Sequence, residues 1–184
     1  ETIKKIAEFI GDKEYGVTSS TDGIIFVYCS EVESGIIPFC LALEQYGFSR
    51  YGDDAQQLDK TDLKWSPISW DGSRERKKGQ IMDRAKYIVV TGDTPVEVRD
   101  RQISAAKNIN NLKGRNIRVI IGSRVMAEGI SLKWVRQIHI LDAWYHLNRI
   151  EQIIGRGLRF CSHKEYPRDE RNVMVYLHSI APMK

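Results

Sequence analysis

Four short, largely apolar runs constrain this chain more than any other feature: Ile24 to Cys29, Tyr87 to Thr91, Arg118 to Gly122 and Val135 to Leu141. They are rich in β-branched residues and too short for helices, which is the pattern of strands covered on both faces. Between them, apolar residues return at helical spacing. Ile3, Ile6, Ala7 and Ile10 form one stripe before Gly11. A helix that Ser34 can cap runs to about Tyr46 and stops at Gly47, and Val96 to about Asn111 reads as another. Val173 to Leu177 closes the series. Short strands separated by helices imply an α/β fold, a parallel sheet with helices on both faces, in a single domain over 1–184. A chain of 184 residues, 42% of them hydrophobic, can bury roughly 70% of its unfolded surface in one core.

The pattern breaks after Phe48. Residues 52–80 read as a loop-rich insertion, with a short strand at Trp65 to Trp70 and a charged stretch from Arg74 to Lys78. From Gly52 to Asp62, Asp53, Asp54, Asp59 and Asp62 stand against Lys60 alone, which suits a solvent-facing segment. Three cysteines, Cys29, Cys40 and Cys161, are odd in number and widely spaced, so reduced thiols of a cytosolic-type compartment are expected rather than a disulfide framework. Cys161 and His163 form a Cys-x-His pair, but no second pair lies at a suitable spacing, and no metal site is expected. There is no apolar run of about eighteen residues and no signal-peptide pattern, so neither a membrane span nor secretion is expected. A first residue Glu1 is what an excised fragment would show.

In open parallel sheets, ligands gather at the carboxyl ends of the strands, where loops and helix N-termini offer backbone donors to anions. Ser30, Thr91-Gly92 and Gly122-Ser123 follow three of the strands, and an arginine-bearing segment follows Leu141. At 100° per residue, Arg149, Gln152, Arg156 and Arg159 fall within roughly 80°, while Ile150, Ile153, Ile154 and Leu158 occupy a separate arc. A guanidinium is a permanently charged fork of donors, suited to a transferring phosphoryl group. A packed helix with a solvated face has the same pattern. Net charge is only +4, yet from Arg115 to Arg159 eight Lys or Arg stand against three acids, so the basic excess gathers around these segments.

Two segments read together are more specific. Val119 to Leu132 and Gln152 to Arg159 resemble motifs V and VI of superfamily 2 helicases and translocases. The pattern Gln-x-x-Gly-Arg-x-x-Arg is matched by Gln152, Gly155, Arg156 and Arg159. Ser162-His163 and Glu170 to Tyr176, with Phe26 to Ser30 and Ser34 to Ile36, are most similar to the helicase-type ATPases and early transcription factors of large cytoplasmic DNA viruses. This resemblance implies the second, C-terminal RecA-like domain of a two-domain motor. It implies arginine fingers at Arg156 and Arg159, nucleotide contacts at Gln152, Glu128, Gly129 and Ser131, and nucleic-acid backbone contacts at Ser30, Thr91, Gly92, Ser123 and Arg124. Lys77 and Lys78 are further candidates for nucleic acid. The chain departs from the family pattern at Glu128-Gly129-Ile130-Ser131, where an arginine usually precedes the glycine and an aspartate follows the isoleucine. It also carries Gly157 one place earlier than many relatives.

No Gly-x-x-x-x-Gly-Lys-Ser/Thr loop and no Asp-Glu-type acidic motif occurs. The resemblance therefore implies that ATP and Mg2+ are bound mainly by an N-terminal RecA-like domain of the same chain, and that this domain alone is inactive as an ATPase. Implied partners are nucleic acid, DNA favoured over RNA, and transcription machinery, in host cytoplasm or virion. The alternative is a helicase-like binding or scaffolding module in a viral transcription complex. An unrelated methyltransferase or dehydrogenase domain would need a Gly-rich loop after an early strand, and none is present.

Overall fold

The structure is a computed structural model that describes residues 1–12, 22–52, 66–74, 83–127, 129–142 and 147–179. Its centre is a six-stranded sheet: β1 (Ile24–Tyr28), β2 (Ser49–Arg50), β3 (Lys86–Val90), β4 (Val119–Gly122), β5 (Val135–Ile140) and β6 (Met174–Leu177). The order is β2-β3-β4-β1-β5-β6, and every pairing is parallel. Four α-helices are described: α1 (Thr2–Ile10), α2 (Ile37–Tyr46), α3 (Val96–Ala106) and α4 (Leu147–Gly157).

Strand alternation sorts the core into two halves. Ile25 and Val27 of β1, with Val119 and Ile121 of β4, meet Ile6 and Ile10 of α1 and Phe39 and Leu43 of α2. Ile24, Phe26 and Tyr28, with Ile120, Ile138 and Ile140, meet Ile103 of α3 and Ile150 and Ile153 of α4. Every residue of β1 is buried, which is why its run is apolar without alternation. The expected parallel sheet with helices on both faces is thus the observed one.

Several boundaries differ from the sequence reading. Ser34 does not cap α2; a π-helical turn, Val32–Ile36, enters the helix earlier, and Ser34 lies inside it. The first helical dihedrals follow the extended Glu31, so no capping role is left for Ser34. Helix α3 stops at Ala106 instead of reaching Asn111, because the fully buried Asn111 side chain takes over the backbone. Its amide donates to the Ala106 and Ile117 carbonyls at 3.0 and 3.1 Å, and its carbonyl accepts from the N–H groups of Asn116 and Ile117. Strand β2 went unread because two residues carry no periodicity. The expected strand at Trp65 to Trp70 is only an isolated antiparallel bridge, Ser69 to Arg84, and Trp65 itself, the acidic stretch 53–62, Lys77 and Lys78 lie outside the described residues. No described helix is long and apolar enough to cross a membrane.

Two buried polar devices pin the α1 side. Arg74 reaches Asp12 at 2.8 Å with both side chains nearly inaccessible, donates to the Tyr46 and Ser66 carbonyls, and lies over the Tyr46 ring. The Tyr46 hydroxyl donates to Asp12, so burial and then that carboxylate push its pKa up. One interaction thus ties the ends of α1 and α2 to the 66–74 segment. Removing one partner strands the other charge in the interior. Arg74→Ala is expected to lower unfolding free energy by about 3 kcal/mol, read as a reduced denaturant midpoint at unchanged m-value.

On β5, His139 is fully buried, with Nε2 3.0 Å from Gln137 Oε1 and Nδ1 2.9 Å from His178 Nε2. A carbonyl oxygen only accepts, so His139 Nε2 carries the proton and Nδ1 accepts from His178. Burial, and then the charge of His178, push the His139 pKa from 6.5 down to about 3. Below pH 6.5 the unfolded chain takes up a proton that the folded one refuses, so stability is full above that pH and declines as pH falls toward 3. The contribution lost between pH 6.5 and 5 is roughly 2 kcal/mol. Urea titrations at these two pH values are expected to show this loss in the wild type and a flatter response in His139→Gln.

Candidate nucleotide and nucleic-acid interface

Strands β1, β3 and β4 run parallel in adjacent positions, so their carboxyl ends release Ser30, Thr91-Gly92 and Ser123 at one edge. A cavity of about 570 Å³ opens there, lined by Ser30, Gly92, Ser123 and Arg124 together with Glu31, Glu33 and Asp93. Four of the five expected backbone contacts therefore meet in one groove. Thr91 is the fifth, and it is buried; its N–H donates to Thr94 Oγ1 at 2.9 Å, which shapes the turn that exposes Gly92.

The groove also contains what the sequence reading did not single out. Both the N–H (2.8 Å) and the hydroxyl of Ser30 donate to Asp142 Oδ2, so its one hydroxyl proton is already committed. Burial raises the Asp142 pKa, and the bond from the Ser30 N–H opposes that rise. A carboxylate placed directly after β5 was the available signal, since it sits at a carboxyl strand end like the others. Glu31, Glu33 and Asp93 outnumber Arg124 along the groove, and Arg124 lies 3.8 Å from Glu31 with both side chains more than half exposed. Such a pair contributes about 0–1 kcal/mol. A phosphate in this groove would therefore meet no net positive charge among the described lining residues.

The turn after β4 depends on a missing side chain. Ser123 is held by its N–H to the Val90 carbonyl (3.0 Å), and the Met126 N–H returns to the Ser123 carbonyl (2.9 Å), opening the 3-10 turn Arg124–Ala127. A Cβ on Gly122 would collide with Met126, whose own Cβ would lie 2.7 Å away. Beyond the turn, Gly129 has φ 74° and is exposed, with open space where a Cβ would stand; Glu128 lies outside the described residues.

The loop over residues 129–132 is fastened to α4. The Leu132 N–H donates to the Arg156 carbonyl at 3.1 Å, and Arg159 Nη1 donates to Ser131 Oγ. Helix α4 packs Ile150 and Ile153, and Gly157 seats its last turn: a Cβ there would come within 3.0 Å of Ile138 Cδ1. Gln152 is exposed and Arg156 half-buried on the outward side. The helix ends at Gly157, so Arg159 sits in the following turn, not on the helical arc the spacing suggested, and Leu158 is 48% exposed instead of packed. The chain turns at Cys161 (φ 60°) to bring Ser162 and His163 beneath β5. There His163 Nε2 donates to the Val135 carbonyl at 2.6 Å, and Nδ1 accepts from the Ser162 hydroxyl. His163 is thus a structural residue, and no metal-holding group of three or more His, Cys, Asp or Glu occurs among the described residues. Cys29 and Cys40 are buried free thiols, the latter raised to about 12 by burial, while Cys161 is exposed.

An all-parallel α/β sheet with loops converging on one edge and an arginine-bearing helix beside them defines a RecA-like domain. The family model for the helicase conserved C-terminal domain matches residues 69–161, half of the chain, and the chain belongs to that family. A candidate ATP-dependent RNA helicase of Acanthamoeba polyphaga mimivirus is 32% identical over 84% of this chain, which spans only 14% of that protein. An early transcription factor large subunit homolog of African swine fever virus is 34% identical over 51% of the chain and 8% of its own length. In fold, the chain is similar to the C-terminal part of the Fun30 ATPase domain, with TM-score 0.50 and 15% identity over 96% of this chain and 39% of that one.

Gly122→Ala is expected to cost about 1–3 kcal/mol by overpacking and to displace the Ser123–Arg124 turn. A denaturant titration, with backbone chemical shifts of residues 122–127, would check both effects.

Proposed function

We propose that this chain is the second motor domain of an ATP-dependent nucleic-acid helicase or translocase. In this reading a preceding RecA-like domain holds ATP and Mg2+, Arg159 assisted by Arg156 stabilises the transferring phosphoryl group, and Gln152 with the Gly129–Ser131 loop contacts the nucleotide. The groove bearing Ser30, Gly92, Ser123 and Arg124 takes the nucleic-acid backbone, with Thr91 shaping the turn. Alone, the domain turns over no ATP, because the phosphate cradle and metal ligands are on the neighbour.

The observation that carries the reading is the contrast between two glycines on α4. Gly157 is explained within the domain, since a Cβ there would crowd Ile138 Cδ1 at 3.0 Å and the Val135 side chain at 3.3 Å on β5. Gly155, on the exposed side with Gln152 and Arg156, meets nothing that would exclude one. A glycine inside a helix costs about 1 kcal/mol relative to alanine. Its place beside Arg156 is accounted for by a phosphate that approaches the helix closely. In this reading Arg159, which is exposed on the adjoining turn and bonded to Ser131, acts on the same group.

Supplying an arginine finger changes rate by about 10³–10⁵. Arg159→Ala in the two-domain protein is expected to abolish nucleic-acid-stimulated ATP hydrolysis while leaving the thermal midpoint nearly unchanged; undiminished turnover would refute the assignment. The resemblance favours DNA, whereas two mimivirus relatives are named for RNA, and paired DNA and RNA substrates in the same assay decide between them. The second reading, a scaffolding module in a viral transcription complex, draws on the early transcription factor homolog. It predicts nucleic-acid binding with no ATP turnover in the wild-type protein.

A further inference from the structure

Away from the groove, at the β2 edge of the sheet, lies a second cavity of about 310 Å³ lined by Arg50, Tyr51, Gly52, Lys86 and Arg101. Among the described residues that line it, three of the five are cations and none is a carboxylate. Arg50 reaches it from the α2 side, where its charge acts on Cys40 and Tyr87. Tyr51 packs into the opposite half of the core, the side on which Arg101 of α3 stands. The fold therefore brings cations from both faces of the sheet to one edge. Arg50, Tyr51 and Lys86 are half-buried; among the described residues the cavity's one ion pair is Lys86 with Asp83 at 3.5 Å, and Arg115 holds that carboxylate more closely at 2.9 Å. The N–H of Tyr51 is spent on the Tyr87 carbonyl of β3 at 2.9 Å.

We infer that this cavity binds phosphates of the nucleic-acid strand, as a second hold separate from the groove; the inference rests on the nucleic-acid reading above. Guanidinium forks match phosphate oxygens in pairs, and a half-buried tyrosine adds a hydroxyl and a ring face. A small nucleotide is disfavoured, since such ligands are enclosed by mostly apolar walls and Tyr51 is the sole aromatic among the described lining residues. Position agrees with a strand. Lys86 begins β3 and Gly92 follows its end, so the two sites are about one strand length apart, roughly 16–20 Å at about 3.3 Å per residue. One phosphate cannot serve both, but a strand of several nucleotides can.

The test is the salt dependence of single-strand binding to the longer, two-domain protein, read by anisotropy of labelled oligonucleotides. Each phosphate contact on a single strand adds about 0.7 to the slope of log affinity against log salt. Arg50→Ala/Arg101→Ala is expected to lower that slope by about 1.4 and to erase the extra affinity of long over short oligonucleotides. Lys107→Ala/Lys164→Ala removes the same charge from exposed positions outside the cavity and is expected to keep both. Arg50→Lys/Arg101→Lys, which retains the charges, is expected to recover most of the slope. An unchanged slope in the Arg50/Arg101 alanine variant, or an equal fall in the Lys107/Lys164 control, overturns the second hold while leaving the groove intact. No binding by the wild-type protein overturns the nucleic-acid reading and this inference with it.

Discussion

The complete enclosure of β1 is the constraint on which the rest depends. With β4 on one side and β5 on the other, and helices against both faces, no residue of β1 meets solvent, so its direction and height are fixed by the core alone. The chain leaves β1 toward the β2 edge, walks back through β3 and β4, then crosses to β5. That reversal parts the loops after β1, β4 and β5 around a crevice. Ser30, Ser123 and Asp142 are near one another for that reason.

Polar groups in the interior divide into those that hold the frame and those that face the crevice. Asn111, His163 and the Asp12–Arg74–Tyr46 group have their bonding capacity taken up inside the domain. Arg118 also holds the frame: wholly buried, it donates to the Gly23 and Lys113 carbonyls at 2.6 and 2.7 Å, and burial lowers its pKa to about 10. Ser30 and Asp142 are bonded to each other at the crevice itself, and Arg149 of α4 opposes the effect of burial on both Asp142 and Tyr28. The first set gives a stable platform, and the second places charge where loops end.

Sequence was informative where one physical demand dominated. Burial on both faces made β1, β3, β4 and β5 legible as apolar runs, and the Ile150–Ile153 stripe marked α4. It was uninformative where long-range partners decide. Nothing local announces that the Asn111 amide will end α3, or that a π-helical turn will absorb Ser34. Helix periodicity also extended the arginine arc one turn too far, because the turn at Cys161 is set by what Ser162 and His163 meet under β5. In the groove, residue types identified four of the five expected contacts as neighbours, but charge balance was hidden: Glu31, Glu33 and Asp93 come from two loops that only the fold brings together.

The seat of α4 on Gly157 bears on how the arginines are aimed. A helix resting on bulky side chains can rock as they change rotamer; one whose last turn touches β5 through a bare backbone takes its pitch from the sheet. Arg156 stands one residue before that fulcrum, with its carbonyl tied to Leu132, and Arg159 stands two after it. Small rotations of the sheet would therefore be passed to the backbone of Arg156 with little slack, as a short stiff lever passes the motion of its pivot.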